Sequence, residues 1–134
     1  MKSDNIVLDS YSMIAYLEGE PGSNKVVQIF EQAKKKEGNI FFSLINWGEV
    51  YYSIFRAKGE PAAEESLLLM EQLPVEIVTP DRELVYQAAR LKSQHAVAYA
   101  DCIAAALAKR HHCCVLTGDK EFHKLSKEIE VTWL

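Results

Sequence analysis

Three aspartates stand beside apolar segments of this chain in a way that could bring their carboxylates together. Asp9 comes directly after the apolar residues 6–8, and Asp119 directly after residues 115–118. Asp101 stands at the front of an alanine-rich run that carries no other charge. Carboxylates held close together repel one another unless they are protonated or share a cation. Their oxygens suit hard cations such as Mg²⁺ or Mn²⁺, and such ions favour in-line hydrolysis of a phosphodiester.

The segments around these acids alternate between short apolar runs and amphipathic stretches. Strands are predicted near 5–8, 40–42, 75–78, 113–116 and 130–132. Helices are predicted over 10–18, 23–36, from 43 or 46 to 58, and over 61–73, 80–94, 99–112 and 120–126, with Ser23 and Thr79 as N-caps of two of them. Alternating strands and helices predict a parallel sheet covered on both faces.

In such a sheet, ligands bind beyond the carboxyl ends of the strands, where the strand order reverses. Asp9 and Asp119 both fall at that edge. Asp101 and Glu49 each stand near the beginning of a helix that could point toward it. Every one of these aspartates also has a local explanation as a helix cap or first-turn acid, so spacing alone leaves both interpretations open.

Composition limits the classes of protein that fit. A chain of 134 residues with 49% hydrophobic and 25% charged residues is typical of a globular protein, and we expect a single domain over 1–134. The apolar runs are too short for a membrane span and no signal peptide is evident, which predicts a cytoplasmic protein. A formal net charge of −4 disfavours a simple electrostatic nucleic-acid binder but is compatible with a metal-dependent nuclease.

The three cysteines include an adjacent pair that follows two histidines, in the sequence His111-His112-Cys113-Cys114. An odd number of cysteines is a poor disulfide framework and suits a reducing compartment. Adjacent ligands rarely fit one tetrahedral zinc ion, and the spacings typical of zinc sites are absent. We therefore interpret this segment as a helix end that passes into a buried strand.

Four segments carry a resemblance to a known family. They are IVLDS at 6–10, NWGEV at 46–50, ADCIAAA at 100–106 and VLTGDKEF at 115–122. In this order and at these separations, they resemble the motifs of the PIN-domain ribonucleases, especially the compact VapC-like toxins of toxin–antitoxin pairs. The resemblance spans nearly the whole chain and is more specific in its C-terminal half. It implies an α/β fold with three α/β/α layers and a central parallel five-stranded sheet in the order 3-2-1-4-5.

The resemblance also implies an endoribonuclease whose acidic pocket holds Mg²⁺ or Mn²⁺. Asp9 and Asp101 match the principal metal-site acids, and Glu49 and Asp119 complete the quartet directly or through water. All four acids are present, so nothing at these positions argues against activity. The family further implies a homodimer and a cognate antitoxin whose C-terminal segment covers the site.

Three small polar residues stand near the acids of these motifs. Ser10 and Thr117 match hydroxyl positions where they would orient carboxylates or waters, and capping or turn formation explains them equally well. For Asn46, helix N-capping is the preferred interpretation.

Two alternatives remain from the sequence. One is a PIN-like module that binds RNA or protein without catalysis. The other is an aspartyl-phosphate phosphatase or receiver-like domain, which also begins with an acid after its first strand. A phosphatase of that kind needs a second acid two residues after Asp9, where this chain has Tyr11, and Lys120 alone is a thin match to a receiver.

Overall fold

The centre of the fold is a sheet of short strands, seen in a computed structural model that describes residues 4–134. The strands are β1 (Ile6–Leu8), β2 (Ile40–Ser43), β3 (Glu76–Val78), β4 (Cys114–Thr117) and β5 (Val131–Trp133). They pair in parallel in the order β3-β2-β1-β4-β5. The predicted sheet and its strand order are therefore confirmed, with strand boundaries shifted by about one residue, as is usual for terminal residues.

Six α-helices and one short 3-10 helix connect the strands in the described part of the chain. They are α1 (Ser10–Leu17), α2 (Ser23–Lys34), α3 (Leu44–Lys58), α4 (Glu60–Glu71), α5 (Arg82–Gln94), α6 (Tyr99–Arg110) and the 3-10 helix Lys120–Leu125. None of these helices combines the length and apolar character that crossing a bilayer requires.

Alternate residues of the strands enter two hydrophobic cores, one on each face of the sheet. Val7 and Val115 pack with residues of α5 and α6, while Leu8 and Leu116 pack with residues of α1 to α4. This alternation is the two-residue period of a β-strand. The result is the expected arrangement of three layers, with helices on both sides of the sheet. Because both faces of the sheet are buried, its strands consist mainly of apolar residues.

Helix α6 is the most enclosed element of the fold. All residues from 101 to 108 are buried, and the helix contacts α3, α5, β1, β2 and β4. Alanines at 104–106 and 108 let the neighbouring backbones approach closely without a void. A carboxylate at the front of this helix is consequently held by a rigid element.

The N-caps of α2 and α5 differ from the prediction. The N-cap of α2 is Gly22 rather than Ser23, because the turn there requires a φ of 94° and glycine adopts positive φ without strain. The N-cap of α5 is Asp81 rather than Thr79, and its Oδ1 accepts a hydrogen bond from the Leu84 amide at 2.8 Å.

Candidate functional site: a carboxylate cluster at the carboxyl edge of the sheet

Asp9 is placed by the end of β1 and the beginning of α1, of which it is the N-cap. Its Oδ1 accepts hydrogen bonds from the Ser12 amide at 2.9 Å and the Ser12 hydroxyl at 3.0 Å. Its Oδ2 accepts a bond of 2.5 Å from the Thr117 hydroxyl. The side chain is thus capping α1, as the local interpretation predicted, and at the same time lies at the strand edge that the ligand interpretation required.

Thr117 joins the ends of the two central strands through its hydroxyl. The oxygen that donates to Asp9 also accepts a hydrogen bond from the Asp119 amide at 2.9 Å. Asp119 in turn caps the 3-10 helix, with its Oδ1 accepting from the Glu121 amide at 2.9 Å. Because β1 and β4 are neighbours where the strand order reverses, this hydroxyl links the two acids at the switch point of the sheet.

Asn46 is not the N-cap of α3, contrary to the preferred interpretation. Strand β2 runs directly into the helix, so Ser43 takes the cap and its Oγ accepts from the Asn46 amide at 3.0 Å. The Asn46 side chain is fully buried instead. Its Oδ1 accepts from the Ser43 hydroxyl at 2.6 Å, and its Nδ2 donates to Ser10 Oγ at 2.9 Å and to the Ala100 carbonyl at 3.5 Å.

Ser10 completes this buried network beside Asp9. Its hydroxyl accepts from the Asn46 side chain and donates to the Asn46 carbonyl at 3.4 Å. The hydrogen bonds therefore connect the beginnings of α1, α3 and α6, which carry Asp9, Glu49 and Asp101. Ser10 supports the helices around the acids rather than contacting a carboxylate itself.

Asp101 lies in the first turn of α6, and its carboxylate is repelled by every other predicted site acid. Its pKa is raised to about 7, first because the side chain is buried and then because Asp119, Asp9 and Glu49 repel its charged form. Glu121 adds a further repulsion. The other three predicted carboxylates therefore lie within electrostatic range of Asp101.

The pKa of Asp9 is also raised, but hydrogen bonds to its carboxylate oppose the increase more strongly than at Asp101. Burial raises its pKa to about 6 and Asp119 adds to the increase, while the hydrogen bonds from Thr117 and Ser12 oppose it. Two carboxyl groups with raised pKa values at one sheet edge are the pattern expected of a functional site. A cation near them would reverse the increase, since it favours the charged form of each carboxylate.

Two residues near the cluster were not singled out from the sequence. Ser12 donates twice to Asp9, and the Asp-x-x-Ser spacing at the start of a helix was a signal for that bond. In the sequence, Glu121 stands out only as a member of the VLTGDKEF segment at 115–122. Its electrostatic contact with Asp101 depends on the turn after β4, for which local sequence gives no measure of distance.

The carboxylates of the cluster could hold a divalent cation only together with other ligands. Among residues 4–134, no group of three or more His, Cys, Asp or Glu side chains is already arranged to enclose a metal ion. The oxygens of the carboxylates are nevertheless the type that Mg²⁺ and Mn²⁺ prefer, and Mg²⁺ commonly takes only one or two protein carboxylates with water and phosphate completing its shell. The residues present thus fit an ion that is held partly by protein and partly by substrate.

The histidine and cysteine segment at the end of α6 has a structural role. Cys113 packs against one core and Cys114 against the other, so their side chains lie on opposite faces of the sheet. The His111 ring stacks on Phe41 with centroids 3.8 Å apart. Burial raises the pKa of Cys113 to about 12, which opposes formation of the thiolate that binds zinc.

The fold and the cluster together define a class of protein: an α/β/α domain with an acidic site at the switch point of a parallel sheet. The chain belongs to the PIN domain family, whose model matches residues 6–128. No curated protein matches it at the level of sequence.

Solved structures of several bacterial proteins have the same fold. VapBC2 from Rickettsia felis, bound to a DNA fragment from its promoter, matches with a TM-score of 0.76 and 14% identity over 96% of this chain and 98% of that one. VapC20 from Mycobacterium tuberculosis, a toxin that cleaves the sarcin–ricin loop, gives 0.73 and 17% over 94% and 98%. DNA-bound VapBC from Salmonella typhimurium gives 0.73 and 17% over 99% and 98%.

Proposed function

We propose that this chain is a metal-dependent endoribonuclease that hydrolyses RNA phosphodiester bonds at the cluster of Asp9, Glu49, Asp101 and Asp119. The observation that carries the proposal is the placement of Asp101, a buried carboxylate that is repelled by four others, three of which are the remaining predicted site acids. A fold gains nothing from placing like charges together, so the cluster suggests a bound cation in the working protein. Membership of the PIN domain family supports the same conclusion.

Within this proposal, Asp9 and Asp101 are the principal ligands of the cation, and Glu49 and Asp119 act directly or through water. A bound Mg²⁺ or Mn²⁺ supplies charge neutralisation at the phosphate and lowers the pKa of a water nucleophile. Thr117 and Ser12 hold the Asp9 carboxylate in one orientation through their hydrogen bonds. Such supporting bonds to ligands tune affinity for the ion.

We further propose that the chain is the toxin of a toxin–antitoxin pair, acting in the cytoplasm as a homodimer and inhibited by a cognate antitoxin. The structural neighbours support the pairing, since they include VapBC complexes and a toxin–antitoxin complex from Klebsiella pneumoniae. Exposed apolar side chains on α3, such as Phe55 at 41% exposure, offer surface for protein contacts.

Cleavage of a single-stranded oligoribonucleotide by the purified chain should require Mn²⁺ or Mg²⁺ and stop when EDTA is added. Hydrolysis by water leaves a monophosphate at one new end, whereas attack by the 2′-hydroxyl leaves a cyclic phosphate. We therefore expect monophosphate ends, and continued cleavage when the 2′-hydroxyl at the cut position is replaced by hydrogen. End-group analysis by mass spectrometry measures both.

The same assay separates the proposed enzyme from its rivals. Cyclic phosphate ends, or cleavage that persists in EDTA and exceeds that of the mock preparation, would contradict metal-dependent hydrolysis. Tight RNA binding without any metal-dependent cleavage would favour the non-catalytic module instead. An Asp9→Asn protein prepared in parallel is the control, and it should show no cleavage above the background of a mock preparation.

Divalent metal should raise the thermal midpoint of the metal-free protein. Binding to the folded state at a hundredfold excess over Kd stabilises by about 2.7 kcal/mol, which corresponds to roughly 5–15 °C for a domain of this size. Differential scanning fluorimetry with and without millimolar Mn²⁺ measures the shift. Asp9→Asn should reduce it, and Glu83→Gln, which removes an exposed carboxylate from α5, should not. A midpoint indifferent to metal in the parent protein would count against the cation site.

A further inference from the structure

Two exposed tyrosine rings lie next to the carboxylate cluster. Tyr11 is 49% and Tyr52 46% exposed, although a tyrosine of a small domain is usually more buried. Each ring is held near a different acid, and neither contributes to the hydrophobic cores. Their position beside the cluster calls for a role that an exposed aromatic ring can perform.

Tyr11 is held against the backbone that precedes Asp119. A Cβ on Gly118 would lie 2.3 Å from Tyr11 Cε1, so the ring occupies the space that a side chain at Gly118 would need. Tyr11 also stands two residues after Asp9, between the hydroxyl residues of the hydrogen-bond network. The chain thus uses a glycine to seat a solvent-exposed ring at the edge of the acidic site.

Tyr52 is held by its hydroxyl group, which is bonded to Glu49. The phenol donates a hydrogen bond to Glu49 Oε2 at 3.3 Å, and the charge of Glu49 raises the pKa of the phenol. The Arg56 guanidinium lies 5.0 Å from the ring centroid, one turn further along α3. A ring backed by a guanidinium and tied to a site carboxylate is suited to a base on its free surface and a phosphate beside the arginine.

Because the protein is negatively charged, base stacking is a better source of affinity for RNA than contacts with its phosphates. The formal net charge is −4, and the cluster itself repels a phosphate backbone. Binding through phosphate contacts alone requires a basic surface, which this composition does not favour. Stacking of bases on aromatic rings contributes about 1–3 kcal/mol per base and does not depend on net charge.

We propose that Tyr11 and Tyr52 are substrate-binding residues that stack unpaired bases of the RNA beside the carboxylate cluster. The inference rests on the proposed nuclease function and adds to it the residues that select single-stranded over paired RNA. Bases in a duplex are stacked on their neighbours and unavailable, whereas bases of single-stranded segments can be splayed onto aromatic side chains.

The test uses leucine and phenylalanine variants at both positions. Tyr11→Leu and Tyr52→Leu keep an apolar side chain without an aromatic face, and each should raise KM for a single-stranded oligoribonucleotide by about 5- to 150-fold, the equivalent of one stacked base. Tyr11→Phe and Tyr52→Phe keep the ring and should stay within about threefold of the parent KM, since stacking needs only the aromatic face. The expected effect on kcat is smaller than the effect on KM in every variant.

The matched control is Tyr86→Leu. Tyr86 is 55% exposed and also lies beneath an arginine four residues later, Arg90, at 6.0 Å from the ring centroid. It stands on α5, which carries none of the four site acids. Its replacement should leave KM unchanged, because this ring packs with Arg90 and not with a site acid.

Binding measured without cleavage separates this inference from the proposed function. Fluorescence of an oligoribonucleotide that contains 2-aminopurine should be quenched by the Asp101→Asn protein, and less so when Tyr11 or Tyr52 is also leucine. Quenching that depends on the tyrosines, without metal-dependent cleavage by the parent, would support the stacking and reject the nuclease. Cleavage with an unchanged KM in both leucine variants would overturn the stacking and leave the nuclease standing, with the rings then assigned to a protein contact.

Discussion

An Asp101→Asn variant is expected to lose RNA cleavage by about 10²- to 10³-fold, a loss typical of removing one charged or polar group from a catalytic centre. The amide has the shape of the carboxylate but no negative charge to hold a cation. Far-ultraviolet circular dichroism should be unchanged, because the side chain makes no hydrogen bond on which α6 depends among those resolved in the described residues. Glu83→Gln is the control and should cleave at the parent rate. A rate within twofold of the parent would remove Asp101 from the site.

The same variant should be more stable than the metal-free parent at neutral pH. The pKa of Asp101 is raised from 3.8 to about 7 in the folded protein, so folding favours its protonated form. The parent therefore loses stability as the pH rises from about 4 to about 7, and the variant does not share this loss. We expect a difference of about 1–2 kcal/mol at pH 7.5, reduced by solvent screening, and almost none at pH 4. Urea unfolding at the two pH values in EDTA measures it, and an equal difference at both would contradict the titration of this group.

Replacing Asn46 by alanine should cost about 2–4 kcal/mol of stability, the largest effect expected from a polar residue outside the carboxylates. The side chain is fully buried and bonded to Ser43, Ser10 and the Ala100 carbonyl. Its removal leaves two buried hydroxyls and a carbonyl without that partner, and opens a small cavity between α1, α3 and α6.

The matched control is Asn24→Ala, which removes an exposed asparagine near the start of α2. Its effect on the free energy of unfolding should stay within about 0.5 kcal/mol, as is usual on the surface. Chemical unfolding of the three proteins compares them directly. If Asn46→Ala is as stable as Asn24→Ala, the buried network does not hold the three helices together.

Much of the fold was predictable because its signals are local. Strands buried on both faces appear as apolar runs, and the breaks at glycine and proline separate them from the helices. The family motifs then supplied the strand order, which no local pattern contains. Helix caps were less predictable: Ser23 has the right side chain for a cap, but the positive φ required at Gly22 decided the actual boundary.

The surroundings of the acids were predictable only in part. Aspartates after two neighbouring strands indicated a shared edge, and the structure places Asp9 and Asp119 within electrostatic range of each other. The bond between Thr117 and Asp9 joins residues 108 positions apart, and the bond between Asn46 and Ser10 joins residues 36 apart. Contacts at such separations depend on how the layers pack, so a single sequence gives no signal for them.

The burial of α6 limits which parts of the acidic site can move without unfolding of the protein. Hydrogen exchange from a helix enclosed by the sheet, α3 and α5 proceeds only when most of the fold opens, so the amides of α6 should be among the slowest in the protein. A local fluctuation is not expected to withdraw Asp101, whereas Asp119 lies outside the long helices, as the N-cap of the short 3-10 helix after β4. We therefore expect any adjustment of the acidic site to involve the Asp119 turn, while α6 keeps its position.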